Sequence, residues 1–320
     1  MYINRLKPKR IVVRLMRTNH LNIGLNKAFF SLIRPFTLAA PFVVSISIMI
    51  ASFFYQPTSQ DFISSFFTLI LPASFSLAIL NGASNALNQA TDYRTDSISK
   101  PYRPIPKGIL SVNQAKIIAL GLYGISFSIA FYIHLTFLIV VSLITLFTVT
   151  YSLFPRMKDK LFFNQLWIAI PRGFLGIIAS WSVFGSVLQP LPLIIASIAA
   201  LFLFGGSITK DITDSSADKQ TGTHTLVNTY GVQKAAILSF PFLFFPFLLI
   251  PAAIDAGILQ EEYWALTFLA IPGFFIFTLL VKDQKPSRFF ENTSAWAVMY
   301  ATYFIYAMMF SILSLIVSFF

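Results

Sequence analysis

Residues 65–96 read SFFTLILPASFSLAILNGASNALNQATDYRTD, an apolar run that ends in a row of amides and carboxylates. A helix crosses the hydrocarbon core of a bilayer with about 20 apolar residues, and this run is long enough. The polar side chains recur at helical spacing on one face: Asn81, Asn85, Asn88, Asp92 and Asp96. Such groups near hydrocarbon are costly unless they face a cavity, a partner or an ion. A hydrated, capped helix end would need only one of them, so the row indicates a site.

The rest of the chain has the composition of a membrane protein. Of its 320 residues, 56% are hydrophobic and only 11% are charged, which is far too apolar for a soluble domain. Cysteine is absent, and this excludes disulfides, thiolate metal sites and a cysteine nucleophile. We attribute the net charge of +11 to contact with anionic lipid headgroups, and we expect no nucleic-acid partner.

Cuts at the polar breaks and at the Pro, Gly, Asn and Asp clusters predict an all-α, polytopic bundle of about nine transmembrane helices around a central cavity. Residues 1–33 are predicted to be a basic cytoplasmic arm, and 34–320 a single transmembrane domain. The predicted spans are 36–55, 65–91, 113–133, 135–153, 164–184, 191–210, 232–254, 263–281 and 293–319.

The distribution of Lys and Arg predicts the orientation of these spans. Basic residues gather in the N-terminal arm and in the loops after every second span, whereas the opposite loops hold only acids: Asp61, Asp255, Glu261 and Glu262. Short cytoplasmic loops carry the positive charge in membrane proteins. We therefore expect a cytoplasmic N-terminus, an outside C-terminus, and the polar helix ends at the cytoplasmic side of the cell membrane.

A second acidic cluster closes the sixth predicted span. Asp211, Asp214 and Asp218 share one helical face and lie on the same side of the membrane as Asp92 and Asp96. Five carboxylates around one mouth would repel one another, and divalent cations would relieve this. Oxygen ligands without His or Cys favour Mg²⁺, which is typically held by few carboxylates together with substrate phosphate oxygens.

The order of these motifs resembles the UbiA family of intramembrane prenyltransferases. Asn88-x-x-x-Asp92-x-x-x-Asp96, followed by KPYRPIPKG at 100–108, is similar to that family's first aspartate-rich motif and its loop. The segment 210–226, KDITDSSADKQTGTHTL, resembles the second motif.

Two shorter segments extend the resemblance, and two positions depart from it. Thr150-Tyr151-Ser152 resembles the family's segment after its fourth helix, and Arg34-Pro35 its entry to the first helix. Gln89 stands where many relatives have Asp, and Val227 where they have Pro. Neither departure removes a residue of the metal-binding pattern.

The resemblance implies Mg²⁺-dependent transfer of an isoprenoid group from a polyprenyl diphosphate donor to a lipophilic acceptor, with membrane lipid as the surroundings. It implies that one Mg²⁺ is held by Asn88, Asp92 and Asp96, and a second by Asp211, Asp214 and Asp218. Asp92, Asp96, Asp211 and Asp214 are the implied catalytic residues. The candidate diphosphate-binding residues are Arg34, Arg103, Lys107, Lys158 and Lys210, and those of the substrate cavity are Asn85, Tyr151 and Arg172.

Several alternatives remain open at this point. Arg172, within the fifth predicted span, needs a partner, which could be an acid of the clusters, the diphosphate or an anionic acceptor. The acceptor itself could be an aromatic quinone precursor, an isoprenoid glyceryl phosphate or a pigment alcohol or acid. A transporter and a CDP-alcohol phosphotransferase are competing classes. However, a transporter should carry its acids near mid-membrane, and the Asp-Gly-x-x-Ala-Arg entry of the phosphotransferases is missing.

Overall fold

The computed structural model describes residues 24–56, 59–282, 285–287 and 292–319. This part of the chain is almost entirely helical, as predicted. Its nine long helical segments, α1 to α9, are Pro35–Tyr55, Phe62–Thr91, Val112–Ile133, Leu135–Ser152, 163–181, Pro190–Thr221, Val232–Asp255, Glu261–Lys282 and Ser294–Phe319. Shorter helical pieces are 24–33, Tyr93–Ser99, Met157–Asp159 and Leu226–Tyr230, and Pro286–Ser287 pairs antiparallel with Asn292–Thr293.

Eight of these segments are long and apolar enough to cross a membrane, within the residues that the structure describes. The exception is α5, which consists of Phe163–Ala169, a π-helical turn Ile170–Phe174 and Leu175–Trp181. Each piece alone is too short to span. Together they occupy the place of the fifth predicted span, so the prediction of a multi-pass helical bundle is confirmed.

Helices that follow one another in sequence pack side by side, and α9 packs back on α1. Between α2 and α3 the hydroxyls of Ser76 and Ser126 each donate to the other's carbonyl at 2.9 Å. Alanines such as Ala86 and Ala119 are completely or almost completely buried there. Small residues and interhelical hydrogen bonds are the usual means by which helices approach closely in a bilayer.

The approach of α5 to α6 depends on a glycine. A side chain at Gly173 would place its Cβ 2.6 Å from the Cα of Ala200, a distance that only glycine avoids. Gly173 belongs to the π-helical turn of α5, which also contains Pro171. Turns of this kind re-aim side chains and often lie at functional sites, and this one carries Arg172.

The end of the predicted N-terminal arm is helical where the structure describes it. In the helix 24–33 the side chains of Ala28 and Leu32 are buried. Gln89 Nε2 donates 2.8 Å to the carbonyl of Leu32, so the residue that departs from the family pattern anchors this helix to α2. Residues 1–23 of the predicted arm lie outside the described residues.

Candidate active site

Two acid-bearing segments meet at one end of the bundle. α2 ends at Thr91, and after Asp92 the chain continues as the short helix Tyr93–Ser99. This helix packs against the last part of α6, where Thr95 Oγ1 donates to Thr221 Oγ1 at 3.2 Å. The two aspartate-rich motifs therefore lie side by side, as the sequence predicts.

Between the two motifs lies a cavity of about 700 Å³, which we call the polar cavity. Five aspartates and five basic side chains reach it. Of the residues predicted from sequence, those that line it are Arg34, Asn88, Asp92, Asp96, Arg103, Tyr151, Lys158, Lys210, Asp211, Asp214 and Asp218.

The loop after the first motif pairs with both motifs. Arg103 Nη1 donates to the two carboxylate oxygens of Asp96 at 2.9 and 2.8 Å, and both side chains are almost fully buried. Lys100 Nζ crosses to the other motif and lies 2.5 Å from each carboxylate oxygen of Asp214. The loop therefore links the two acidic helix ends by opposite charges.

Asp92 and Asp211 also have basic partners. Asp92 contacts Lys158 and accepts a hydrogen bond from Arg156 Nη2 at 3.0 Å. Asp211 contacts Lys210 and accepts a bond from Asn164 Nδ2 at 3.0 Å. The carbonyl of that amide accepts from Tyr151 Oη at 3.0 Å. Asn164 thus joins the tyrosine of α4 to the second motif.

Burial disfavours the charged forms of both Asp96 and Lys100. The pKa of the Asp96 carboxyl is raised by burial, which outweighs the opposing influence of Arg103 and Lys100. The pKa of Lys100 is lowered by burial, and the nearby Asp214 opposes this shift. A cation bound nearby would favour the charged form of Asp96, and a bound anion would favour that of Lys100.

The donor set of the polar cavity fits Mg²⁺ by its chemistry. Its possible ligands are carboxylate and amide oxygens, without His or Cys, which is the preference of a hard divalent cation. Within the described residues no three acidic or histidine side chains are gathered into a ready metal cluster. Lysine and arginine instead hold four of the five aspartates as ion pairs: Asp92, Asp96, Asp211 and Asp214.

An apolar cavity of about 820 Å³ continues along the same helices. On α2 the lining changes from Asn88 to Leu77, and on α4 from Tyr151 to Ile144. At 1.5 Å per residue these steps correspond to about 16 and 10 Å along the helix axes. A charged headgroup held at the polar cavity would therefore have the apolar cavity further along the same helices for its chain.

Three predicted residues lie elsewhere. Lys107 is exposed at the end of its loop and does not line the polar cavity. Asn85 is buried and donates to the carbonyl of Ile33 and to Thr37 Oγ1, both at 2.8 Å, so it connects helices and lines neither cavity. Arg172 lines the apolar cavity, where it donates to Tyr300 Oη at 3.1 Å. The structure thus does not bring Lys107 or Asn85 to the polar cavity, and the roles assigned to them from sequence stay predictions.

Three residues at the acidic motifs are missing from the sequence-based assignment: Lys100, Arg156 and Asn164. Lys100 is the first residue of the loop that holds Arg103 and Lys107, so its charge is a usable signal in the sequence. Arg156 and Asn164 flank the basic segment after α4. Only the folded chain reveals that this segment crosses to Asp92 and Asp211.

Comparison with known proteins gives consistent results. A family model described as the UbiA prenyltransferase family matches residues 40–299. Digeranylgeranylglyceryl phosphate synthase of Methanosphaera stadtmanae is 29% identical over 222 residues, covering 68% of this chain and 78% of that protein. The protein of the same name from Saccharolobus solfataricus is 27% identical over 215 residues, covering 67% and 75%.

Solved structures share the fold. A UbiA homolog from Archaeoglobus fulgidus bound to GPP and Mg²⁺ superposes with a TM-score of 0.68 at 18% identity, over 88% of this chain and 99% of that one. A structure of digeranylgeranylglyceryl phosphate synthase gives a TM-score of 0.62 at 21% identity, over 91% and 98%.

Proposed function

The chain belongs to the UbiA prenyltransferase family and is a prenyltransferase, and on that premise we propose that it transfers an isoprenoid chain from a polyprenyl diphosphate to an isoprenoid glyceryl phosphate. The glyceryl phosphate acceptor is supported by the names of the relatives, which are digeranylgeranylglyceryl phosphate synthases. Family membership also displaces the transporter and the CDP-alcohol phosphotransferase as interpretations of the two acidic motifs.

The observation that carries this proposal is the stacking of the two cavities. The polar cavity offers Arg34, Arg103, Lys158 and Lys210 to a diphosphate, and basic side chains are suited to phosphate oxygens. The apolar cavity directly beyond it can take the isoprenoid chain. Its walls keep bulk water away from the allylic carbon, which becomes electron-poor as the diphosphate leaves.

Mg²⁺, when bound, neutralises the charge that grows on the departing diphosphate. Asn88, Asp92 and Asp96 would hold one ion, and Asp211, Asp214 and Asp218 a second. The bond between the allylic carbon and the diphosphate oxygen breaks, and its electron pair leaves with the diphosphate. The hydroxyl oxygen of the acceptor forms the new ether bond, and its proton leaves with the released diphosphate.

We propose that this chemistry lies at the cytoplasmic side of the cell membrane. The polar cavity is built from the segments next to the basic loops, whereas exposed acids such as Asp255 occupy the opposite loops. Positive loops stay in the cytoplasm. Labelling of single cysteines introduced at positions 107 and 255, with a reagent that does not cross membranes, checks this orientation in intact cells.

The activity is tested with purified protein in detergent or nanodiscs. Geranylgeranyl diphosphate and Mg²⁺ are supplied with geranylgeranylglyceryl phosphate, 4-hydroxybenzoate or a long-chain pigment alcohol, and diphosphate release and prenylated product are measured. We expect ether product with the glyceryl phosphate and none in excess EDTA. If product forms only with the aromatic acid, the proposed acceptor is wrong. If turnover is undiminished in EDTA, the proposed dependence on Mg²⁺ is wrong.

A further inference from the structure

Arg172 is a charged side chain in the wall of the apolar cavity. Its guanidinium makes one hydrogen bond, to Tyr300 Oη at 3.1 Å, and takes part in none of the ion pairs of the described residues. A guanidinium has five N–H donors, and a charge next to apolar walls is costly without a counter-charge. The exposed guanidinium therefore has donors left for an anion.

The fold holds this site at a fixed depth. Arg172 lies eight residues after Asn164 on α5, and Tyr300 eight residues after Asn292, where both earlier residues line the polar cavity. On α5 this places Arg172 about 12 Å further along the helix axis, and Tyr300 follows Asn292 through the short strand and the first turns of α9. The backbone beside Arg172 is fixed by Gly173 against α6, and by Tyr303 Oη, which donates to the Arg172 carbonyl at 2.8 Å.

The charge of Arg172 lies close enough to the polar cavity to act on Tyr151, which lines that cavity. Side chains on a helix lean toward its N-terminus, and the N-terminal end of α5 is the end at the polar cavity, where Asn164 lies. An anion held by Arg172 would lie between the two cavities rather than at the bottom of the apolar one. It would stay separate from a diphosphate held by the basic side chains of the polar cavity.

We propose that Arg172, with the hydroxyl of Tyr300, binds the phosphate of the acceptor and so selects a phosphate-bearing acceptor. This inference rests on the proposed function, because it concerns the second substrate of that reaction. Two separate anion sites keep the acceptor phosphate away from the donor diphosphate, which reduces their repulsion. The acceptor hydroxyl, a few bonds from its phosphate, then lies between the sites, where the allylic carbon of the donor is expected.

Binding without donor tests the site directly. The affinity of the protein for geranylgeranylglyceryl phosphate and for the dephosphorylated alcohol is measured in nanodiscs, for the wild type, Arg172→Gln and Arg172→Lys. A charge-assisted hydrogen bond supports a loss of about tenfold for the phosphate in Arg172→Gln, and no loss for the alcohol. The lysine variant should recover part of the affinity. Lys234→Gln, which removes an exposed charge at the start of α7, should bind both as the wild type does.

Kinetics separate this inference from the proposed function. If the wild type turns over the phosphate acceptor, Arg172→Gln should raise the KM for that acceptor and leave the KM for geranylgeranyl diphosphate unchanged. A raised donor KM instead would assign Arg172 to the diphosphate and overturn the inference. Equal losses with both acceptors would also overturn it, as a general packing role.

Two further results distinguish a failure of the anion site from a failure of the proposed acceptor. If the wild type transfers to neither glyceryl acceptor, the proposed acceptor fails, and unchanged phosphate binding in Arg172→Gln then refutes the anion site as well. Tyr300→Phe keeps the cation and the ring, and guards against misfolding of the arginine variants. It should weaken phosphate binding by a smaller factor than Arg172→Gln, and an unchanged affinity would remove Tyr300 from the site.

Discussion

The two cavities share helices but balance charge in different ways. In the polar cavity five aspartates face five basic side chains, and four of the aspartates are already paired. In the apolar cavity Arg172 has a neutral hydrogen-bond partner, Tyr300. The polar cavity is therefore balanced before substrate binds, whereas the apolar cavity has a charge that no described residue neutralises.

This difference has a consequence for ligand binding. Two divalent cations and a diphosphate bring opposite charges that roughly cancel, so they can enter the polar cavity by exchanging partners with Asp92 or Lys100 without a large net change. An anion that enters the apolar cavity instead completes a pair for the first time. Donor binding should thus depend on many charges together, and acceptor binding on a single one.

The largest effect is expected from the acids of the polar cavity. Asp92→Ala and Asp214→Ala each remove a carboxylate from a different motif, and we expect turnover to fall by on the order of a thousandfold or more, because groups that stabilise the leaving charge supply such factors. Release of diphosphate from geranylgeranyl diphosphate measures this. Asp255→Asn changes an exposed acid on the opposite side and should leave the rate unaltered. Near-normal turnover in both alanine variants would contradict the site.

A smaller effect should distinguish two cations of one loop. Arg103 pairs with Asp96 where both side chains are only 6% exposed, whereas Lys107 is exposed. Arg103→Gln leaves a buried carboxylate uncompensated and should destabilise the protein by about 3 kcal/mol, which thermal unfolding in detergent reports. It should also raise the KM for the donor.

Lys107→Gln is the matched control for that variant. It removes the same charge from the same loop and should change the unfolding free energy by less than about 0.5 kcal/mol. Equal loss of stability in the two variants would mean that the loop acts as a whole and that the ion pair with Asp96 is not the cause.

The same loop illustrates how far sequence goes. Helical spacing alone puts Asn88, Asp92 and Asp96 on one face, and these three do line the polar cavity. Helical spacing does not describe a loop that turns back, so it does not distinguish Arg103 from Lys107. The turn buries one and exposes the other. Asn85 shares the helical face of Asn88, yet its amide donates hydrogen bonds to Ile33 and Thr37 on the neighbouring helices.

Long-range partners are the other part that sequence leaves undetermined. Hydropathy and charge predict the spans well because lipid demands apolar stretches and positive loops sort to one side. Nothing local in the sequence indicates that Lys100 reaches Asp214, or that Tyr300 is the partner of Arg172. Each of those pairs joins segments more than a hundred residues apart, and only the packing of the helices brings them together.

A moderate effect should come from the depth of the apolar cavity. Gly176 lines it, and a Cβ added there meets only the carbonyl oxygen of Pro171, at 3.5 Å, an ordinary contact. Gly176→Val should therefore fold while filling part of the cavity. We expect its kcat/KM for geranylgeranyl diphosphate to fall by about tenfold relative to dimethylallyl diphosphate, since a few methylene groups in an apolar pocket are worth such a factor. Competition between the two donors measures this.

Gly173 serves as the comparison for that substitution. It lies three residues earlier, and its Cβ would meet the backbone of Ala200 at 2.6 Å. Gly173→Ala should lower the unfolding temperature and the rates with both donors in the same proportion. A change of donor preference in Gly173→Ala, or none in Gly176→Val, would show that the apolar cavity does not receive the donor chain.

The smallest effect is expected on metal affinity, when a basic side chain that pairs with an aspartate is removed. Lys100 is buried against Asp214 and occupies a carboxylate that the proposal assigns to Mg²⁺, so the lysine and the ion compete. Lys100→Met removes the competitor, and we expect Mn²⁺, used as a paramagnetic substitute, to bind about threefold more tightly without substrate. The same variant should melt at a lower temperature without metal, because Asp214 then loses its partner. Weaker Mn²⁺ binding in Lys100→Met would mean that the lysine holds the aspartates in position for the ion. Lys100 would then preorganise the metal site instead of competing with the ion for Asp214.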